Sequence, residues 1–355
     1  MSQRPADLST LGNPMGVDAA LDAFPNPAAD HPAWWSETAF FAAWSPENEV
    51  GVWAHMGRSQ GDLGLWWAQT ATYLPGGRLA VDLSWGRAPD PGCASSGNLT
   101  FRAVEPFHRW SVTFDGAGEP VTTGDVLGGL TGGGPRVPMR WAIDAVAASP
   151  AWNLYPPGHG VRDGKQDWAG DSHTQQTFHT TGEVVVGDER FRLDGFGYND
   201  HSRGVRDLSG FGGDQWFIGL LPGLALHLVD IYDNEGASLM HHGGIFDAGG
   251  HAVATASRLP DVGPDGAPFT TELVIDAEGR EPLTLTQEVL HTFAITINRR
   301  NDNLNGTGWD LADDPLVFVE AAVKLTAPDG RVGFANRETA MQLSKLTRPS
   351  GGPQL

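Results

Sequence analysis

Short runs of alternating apolar and polar residues, separated by Gly, Pro and Asp, recur through most of this chain. In the first half they include FFAAWS, VGVWAHM, LGLWWAQTATYL, LAVDLSW and WSVTF, between residues 40 and 114. Alternation with a period of two places successive side chains on opposite faces of an extended strand, and the separating residues favour turns. The pattern therefore predicts antiparallel β-sheet and an all-β architecture for the chain.

A second β-rich run extends from TFHTTGEVVV to RVGFANRE, residues 177–338, after a turn-rich linker at 150–170. Only residues 139–152 carry a helical stripe. Two successive β-rich halves of similar size favour two domains, each long enough to bury a core. We predict an extended arm at 1–32, β-domains at 33–160 and 161–345 with the functional site in the second, and a tail at 346–355.

The charge balance limits the partners of the protein. Its 355 residues hold 43 acidic and 23 basic side chains, which gives a formal charge of −20. A chain this acidic is a poor ligand for nucleic acid or an anionic membrane surface. The single cysteine, Cys93, excludes internal disulfides and a thiolate metal site. Neither a signal peptide nor a stretch as long as a membrane span is visible, so we expect a cytoplasmic protein with no integral membrane segment.

The segment GFGYNDHSRGVRD, residues 195–207, concentrates groups that can transfer protons. On an extended strand Tyr198, Asp200 and Ser202 share one face, whereas His201 points to the other face unless a bulge turns it. The glycines permit close approach of a neighbouring backbone or of a ligand. Two interpretations stay open, namely an active-site strand and a glycine-rich turn with solvated charges.

This segment also resembles a family motif that reads approximately Gly-x-Gly-x-x-Asp-His-Ser/Asn-x-Gly, with a His on its own strand further upstream. The match here runs from Gly195 to Gly204, and the upstream histidine is His173. Weaker similarity lies in residues 101–116 and 320–338. The chain resembles the two-domain, lipocalin-like family of carotenoid 1,2-hydratases (hydroxyneurosporene synthases) and kievitone hydratase, which includes many uncharacterised bacterial relatives.

The resemblance implies both a fold and a chemistry. It implies that each half is a lipocalin-like antiparallel barrel, and barrels of that size can hold one small ligand among inward-facing side chains. It further implies a hydratase, dehydratase or double-bond isomerase that acts without a cofactor on an isoprenoid or another hydrophobic alkene or tertiary alcohol. Arg203 stands where the carotenoid enzymes favour an aromatic residue, which argues against a very apolar polyene substrate.

Hydration of an unactivated alkene requires protonation of carbon. The enzyme therefore needs a carboxylic acid or imidazolium that stays protonated near neutral pH in apolar surroundings. We predict that Asp200 is this acid, that Tyr198 relays its proton and that His173 deprotonates the attacking water, with His201 also in the catalytic set. The alternative for Asp200 is a structural ion pair with a nearby arginine such as Arg203.

Further side chains at strand positions are candidates for binding the substrate. A ring at Trp216 could face a cationic intermediate, and two C-terminal glutamates match acids of the bacterial relatives, although surface glutamates are the alternative. The predicted substrate-binding residues are Gln175, Ser202, Arg206, Trp216, Glu320 and Glu338. No HxH or HExxH pattern occurs, so neither a metal site nor a cofactor is predicted.

Two other functions are compatible with the same features. One is a non-catalytic carrier of a hydrophobic small molecule, and the other is a pericyclase-like catalyst that uses the pocket as a template with little proton transfer. Replacing Asp200 by Asn separates them, because an acid catalyst would lose activity and keep ligand binding. A carrier would show no turnover in the parent protein.

Overall fold

The structure is a computed structural model, and it describes residues 7–27, 30–32, 35–59, 61–127, 133–155, 172–205, 211–258, 272–297, 303–304 and 316–342. Nearly all of this is strand, arranged in two large antiparallel sheets. The prediction of an all-β fold with two lipocalin-like barrels is confirmed. Among the described residues, no helical segment has the length and hydrophobicity that a transmembrane helix requires.

The first sheet contains β1 (Trp35–Ser45), β2 (Val50–Ser59), β3 (Asp62–Leu74), β4 (Arg78–Gly86), β5 (Ala94–Ser95), β6 (Leu99–Glu105), β7 (Arg109–Thr122), β8 (Val137–Ala147), β9 (Trp152–Asn153), β10 (Ser172–Val186) and β11 (Glu189–Val205). Its strand order is β4-β3-β2-β1-β11-β10-β8-β7-β6-β5. Because β4 also pairs with β7, these strands close into a ring, which we call the first barrel. A short helix, α1 (Thr123–Leu127), follows β7.

The second sheet contains β12 (Phe211–Leu221), β13 (Leu224–Asp233), β14 (Ser238–Asp247), β15 (Gly250–Arg258), β16 (Glu272–Ala277), β17 (Leu283–Ile297), β18 (Asn303–Leu304), β19 (Leu316–Thr326) and β20 (Val332–Gln342). Its order is β16-β15-β14-β13-β12-β20-β19-β17-β18, and pairing of β16 with β17 closes the second barrel. The hairpin between β12 and β13 turns at Pro222 and Gly223, where the glycine has a φ of 75° that other residues rarely adopt.

The last strand of the first sheet ends at Val205 and the first strand of the second sheet begins at Phe211, whereas the sequence analysis predicted the domain boundary at residue 160. The strands β10 and β11 come after that residue, yet they pair with β8 and β1 and complete the first barrel. The proton-transferring motif therefore lies on the first barrel. The division of the chain into domains itself stays a prediction.

Residues 139–152, the one stretch whose sequence also fits a helical stripe, contain most of β8. Met139, Trp141, Ile143 and Ala145 are all buried at a spacing of two, and the residues between them are more exposed. That is the burial pattern of a strand with one face on a core. Apolar residues at this spacing also match part of a helical stripe, which is why the sequence pattern was ambiguous.

Buried apolar side chains form three cores. One fills the first barrel around residues such as Phe41 and Trp110, and another fills the second barrel around residues such as Phe217 and Leu226. The third core lies between the barrels and takes side chains from both, among them Trp53. Trp53 packs on Phe293 across this layer, with ring centroids 5.0 Å apart. The layer between the barrels holds the candidate site.

Residues 7–27, which fall within the predicted arm, pack against the first barrel. Two turns of 3-10 helix span Leu8–Leu11 and Ala19–Asp22. The carboxyl of Asp22 is fully buried and accepts hydrogen bonds from the Trp110 indole at 2.9 Å and from the Phe107 backbone at 2.7 Å.

Candidate functional site

The two faces of β11 have different neighbours, as the alternation of its side chains predicts. Tyr198, Asp200 and Ser202 lie on the face that is turned towards the second barrel, in register with His173, Gln175 and Thr177 of β10. Directly paired residues share a face of the sheet, so this row of polar side chains is continuous across the two strands. The hydroxyl of Ser202 lies 2.9 Å from that of Thr38 on β1.

A histidine–aspartate pair forms at the centre of this face. The Nε2 atom of His173 lies 3.3 Å from Oδ2 of Asp200. Across the layer, the imidazole stacks on the Trp216 indole, with centroids 4.5 Å apart and an angle of 18° between the planes. The Asp200 side chain keeps 19% of its surface accessible, against 8% for His173. Three of the predicted site residues, contributed by β10, β11 and β12, therefore meet at one point.

Three carboxyl groups from the second barrel face this pair. Asp214 lies on β12, Glu338 on β20 and Glu320 on β19. Glu320 and Glu338 are direct cross-strand partners, and Glu338 is likewise opposite Trp216. Glu338 lies within hydrogen-bonding reach of both Asp214 and Glu320, so the three form one connected carboxyl cluster.

Two further hydrogen bonds orient the outer members of the carboxyl cluster. The backbone N–H of Ala340 donates to Oδ1 of Asp214 at 3.2 Å, and the Asn336 amide donates to Oε2 of Glu320 at 2.8 Å. Asp214 and Glu320 are 4% and 1% exposed, whereas Glu338 keeps a larger accessible surface. Glu338 is therefore the least buried member of the carboxyl cluster.

Burial makes the carboxyl cluster difficult to ionise. Burial, followed by the negative charge of Glu320, raises the pKa of Asp214 to about 8. Burial and the charges of Glu320 and Asp214 hold the pKa of Glu338 well above its usual range, and burial also raises the pKa of Glu320. The charge of Asp200 acts in the same direction on all three. Because two carboxyls can share a hydrogen bond only when one carries a proton, the cluster retains protons at neutral pH.

Asp214 is the site residue that the sequence analysis missed. An acid at the start of a strand is ordinarily solvent-exposed, and nothing local marks this one as buried. The available signal was the alternation of Asp214 with Trp216, Ile218 and Leu220, all of which are buried on the face between the barrels. An acid in phase with such a stripe is a candidate for a buried carboxyl.

Tyr198 is buried on the same face, but its predicted link to Asp200 is not formed. Its hydroxyl has no hydrogen-bond partner among the described residues, and burial raises its pKa well above the usual range. The hydroxyl of Tyr73 on β3 is in the same situation, with the charge of Glu320 adding to the effect of burial on its pKa. Both phenols are therefore neutral donors that face the layer between the barrels.

His201 lies on the opposite face of β11 and does not approach Asp200. Its Nε2 atom is 2.9 Å from Oε1 of Glu37, whose other oxygen accepts from Arg58 at 2.6 Å. Arg203 donates to the backbone carbonyl of Leu21, so it does not form the alternative ion pair with Asp200. These side chains form a buried ionic network inside the first barrel. Arg206 lies outside the described residues.

Gln175 lies beside His173 on the layer face, where its Oε1 is 3.1 Å from Nδ1 of His227 on β13. Among the described residues, no group of three or more His, Cys, Asp and Glu side chains has the arrangement of a metal site.

Comparison with known proteins places this geometry in a family and a fold. A family model described as a domain of unknown function, DUF7064, matches residues 19–343. A protein from Nitrosomonas europaea provisionally identified as AttH superimposes with a TM-score of 0.58 at 14% identity, over 89% of this chain and 97% of that one. None of the curated proteins compared with the chain matches it in sequence.

Two further solved structures bear on the predicted resemblance. Kievitone hydratase from Nectria haematococca superimposes with a TM-score of 0.52 at 12% identity, over 96% of this chain and 98% of its own. CghA superimposes with a TM-score of 0.51 at 9% identity, over 87% of this chain and 88% of its own. These likenesses show a shared fold, and the specific relation to carotenoid hydratases stays a prediction.

Proposed function

We propose, from the premise that this chain belongs to the DUF7064 family, that it catalyses hydration, dehydration or double-bond isomerisation by acid–base chemistry without a cofactor. The reacting molecule is an isoprenoid or another hydrophobic alkene or tertiary alcohol. It binds in the layer between the barrels, where Asp200 and His173 face the carboxyl cluster.

The observation that carries this proposal is the carboxyl cluster. A carbon–carbon double bond is a weak base, and its protonation needs an acid that keeps its proton at neutral pH and lies in dry surroundings. Asp214 has a pKa raised to about 8 by burial, and Glu338 is held protonated by burial and by the charges of its two acidic neighbours. The proton donor is then Glu338, instead of the Asp200 that the sequence predicted.

The reaction in the hydration direction follows from this assignment. Glu338 transfers its proton to an alkene carbon, which forms a C–H bond and leaves a carbocation at the more substituted carbon. Water adds to the cation, and its proton passes to Nδ1 of His173, which has no hydrogen-bond partner among the described residues, while Asp200 accepts from the Nε2–H on the other side of the ring. The indole of Trp216 lies against His173, where an aromatic ring stabilises a nearby cation. Return of the proton to Glu338 completes the cycle, and the reverse sequence removes water.

The name of one structural neighbour supports the same chemistry. Kievitone hydratase is a hydratase by name, and its fold extends over nearly the whole of both chains. Fold does not by itself transfer activity, so the proposal depends on the site. The predicted resemblance and the carboxyl cluster point in the same direction from independent starting points.

Incubation with linalool, geraniol and other terpene alkenols in heavy water tests the proposal. We expect deuterium at carbon, detected by mass spectrometry. Glu338→Gln and His173→Gln should each lower the rate by about 100- to 10,000-fold, the usual contribution of a general acid or base. Asp144→Asn, which changes an exposed acid paired with Arg109, is the matched control and should retain the parent rate. Deuterium incorporation that survives Glu338→Gln would exclude the assigned donor.

The alternative is a binding or templating function, and one observation favours it. Aromatic side chains from both barrels line the layer, including the contacts of Trp216 with His173 and of Trp53 with Phe293. CghA, which shares the fold, has been solved with Sch210972. If the parent protein binds alkenols without incorporating deuterium, and Asp200→Asn leaves the affinity unchanged, the carrier or cyclisation function is supported instead.

A further inference from the structure

A second polar cluster lies next to the acid–base site. It consists of Gln175, Trp152 and His227, and we call it the Gln175 cluster. Gln175 follows His173 by two residues on β10, so their side chains project from the same face about 7 Å apart. It is in register with Asp200 on one side and with Trp152 on the other.

The Gln175 cluster is fully enclosed and held together across the layer between the barrels. Gln175, Trp152 and His227 are 1% exposed or less. The His227 ring stacks on the Trp152 indole with centroids 5.7 Å apart and an angle of 7°, while its Nδ1 contacts Gln175. Gly244 makes room for this arrangement, because a Cβ there would come within 2.5 Å of the indole nitrogen.

Three polar atoms of the cluster have no hydrogen-bond partner in the described part of the chain. They are Nε2 of Gln175, Nε2 of His227 and Nε1 of Trp152. Burial, with the neighbouring charge of His251, lowers the pKa of His227 to about 3, so the ring is neutral. A buried polar atom without a partner is strongly unfavourable, so these atoms favour a further polar group between them, either a water molecule or a polar group of a ligand.

The pattern of donors and acceptors does not depend on how the amide is oriented. If Nδ1 of His227 donates to the amide oxygen, His227 presents an acceptor at Nε2 and Gln175 presents an N–H donor. If the amide is rotated, Gln175 presents an oxygen and His227 presents an N–H. In both cases the pair offers one donor and one acceptor, and Trp152 adds a second donor.

We infer that the Gln175 cluster binds a hydroxyl group of the substrate. A hydroxyl both donates and accepts, so one group satisfies both members of the pair, whereas a ketone or an ether can only accept. Gln175, Trp152 and the neutral His227 are all uncharged, so they suit a hydroxyl better than a carboxylate or a phosphate. This inference rests on the proposed function and narrows it: the substrate is a hydrophobic alkene or alcohol with a hydroxyl about 7 Å from the carbon that water attacks beside His173.

Matched probes that differ in one group test the inference by binding alone. We would measure dissociation constants of geraniol, geranyl methyl ether, farnesol and farnesyl methyl ether from the quenching of tryptophan fluorescence. We expect each alcohol to bind roughly 10- to 100-fold more tightly than its ether. In the double variant Gln175→Met/His227→Phe, which replaces both partners by apolar groups of similar shape, the ratio should fall to about threefold or less.

The outcomes separate this inference from the proposed reaction. Asp200→Asn should lose deuterium incorporation and keep the alcohol preference. Equal affinity for alcohol and ether in the parent protein, or no binding of either alcohol, would overturn the hydroxyl site, and this result needs no variant to fold. If the parent protein prefers alcohols but shows no turnover, the hydroxyl site is retained and the reaction is excluded. If it shows turnover but no preference for alcohols, the reaction is retained and the hydroxyl site is excluded.

Discussion

The carboxyl cluster contributes to the stability of this protein a pH dependence opposite in sign to that of its ion-paired acids such as Glu37. The folded protein holds a proton on Asp214 up to about pH 8, whereas the ordinary value for the group is 3.8. The unfolded chain therefore releases this proton at much lower pH than the folded chain. The contribution of the Asp214 carboxyl to the free energy of unfolding is fully present below about pH 4, and it is lost as the pH rises towards 8.

The substitution Asp214→Asn removes this dependence. Between pH 5 and pH 8, three pH units at about 1.4 kcal/mol each correspond to about 4 kcal/mol lost by the parent protein. Relaxation and water entry around the ionised group reduce this figure, so we expect about 2 to 4 kcal/mol. Asparagine can still accept from the Ala340 N–H, and its neutral amide can donate to Glu338.

Urea unfolding at pH 5 and pH 8 measures the difference. We expect the stability of Asp214→Asn relative to the parent to rise by about 2 to 4 kcal/mol between the two pH values. Asp144→Asn, in an exposed pair with Arg109, is the matched control and should follow the parent at both. If Asp214→Asn changes stability by the same amount at pH 5 and pH 8, the folded protein does not hold a proton on Asp214, and the argument for a buried acid fails.

Two further substitutions test parts of the fold that support the site. Gly195→Ala should destabilise the protein by about 1 to 3 kcal/mol, because a Cβ there would overlap the carbonyl oxygen of Trp44, whereas Gly61→Ala adds its Cβ in open space and should be neutral. Glu37→Gln should lower the free energy of unfolding by about 3 to 5 kcal/mol, since it leaves Arg58 buried without its anionic partner. Urea unfolding measures both, and a Glu37→Gln protein as stable as the parent would contradict the role of the ionic network.

The sequence was sufficient to predict the secondary-structure elements of the fold. Period-two alternation between turn residues identified strands in both halves, and the same alternation placed Tyr198, Asp200 and Ser202 on one face with His201 on the other. These results depend on local geometry, because the side chains of an extended backbone alternate wherever it lies in the protein. Residues 139–152 fit a helical stripe in sequence although they contain most of β8, since apolar residues at spacing two also match part of a helical pattern.

Contacts between distant strands could not be read from the sequence. Glu338 and Asp214 are far apart along the chain, and only the pairing of β12 with β20 brings them together. The same is true of Gln175 and His227, which meet across the layer between the barrels. Strand order is set by burial of whole sheet faces, and no local motif encodes it. The sequence therefore proposed His173, Asp200 and Glu338 singly, but it gave no sign that Asp214 joins Glu338 and Glu320 in one cluster.

The chain passes from the first sheet to the second after Val205, and this affects how the activity of proteins with this fold can diverge. The histidine that we propose as the proton acceptor belongs to one barrel, and the acids of the carboxyl cluster belong to the other. A small rotation of one barrel on its neighbour would therefore alter the spacing between donor and acceptor while every residue of the reaction centre stayed the same. Selection for a new product can act through the apolar packing between the barrels, at positions that never touch the reacting molecule.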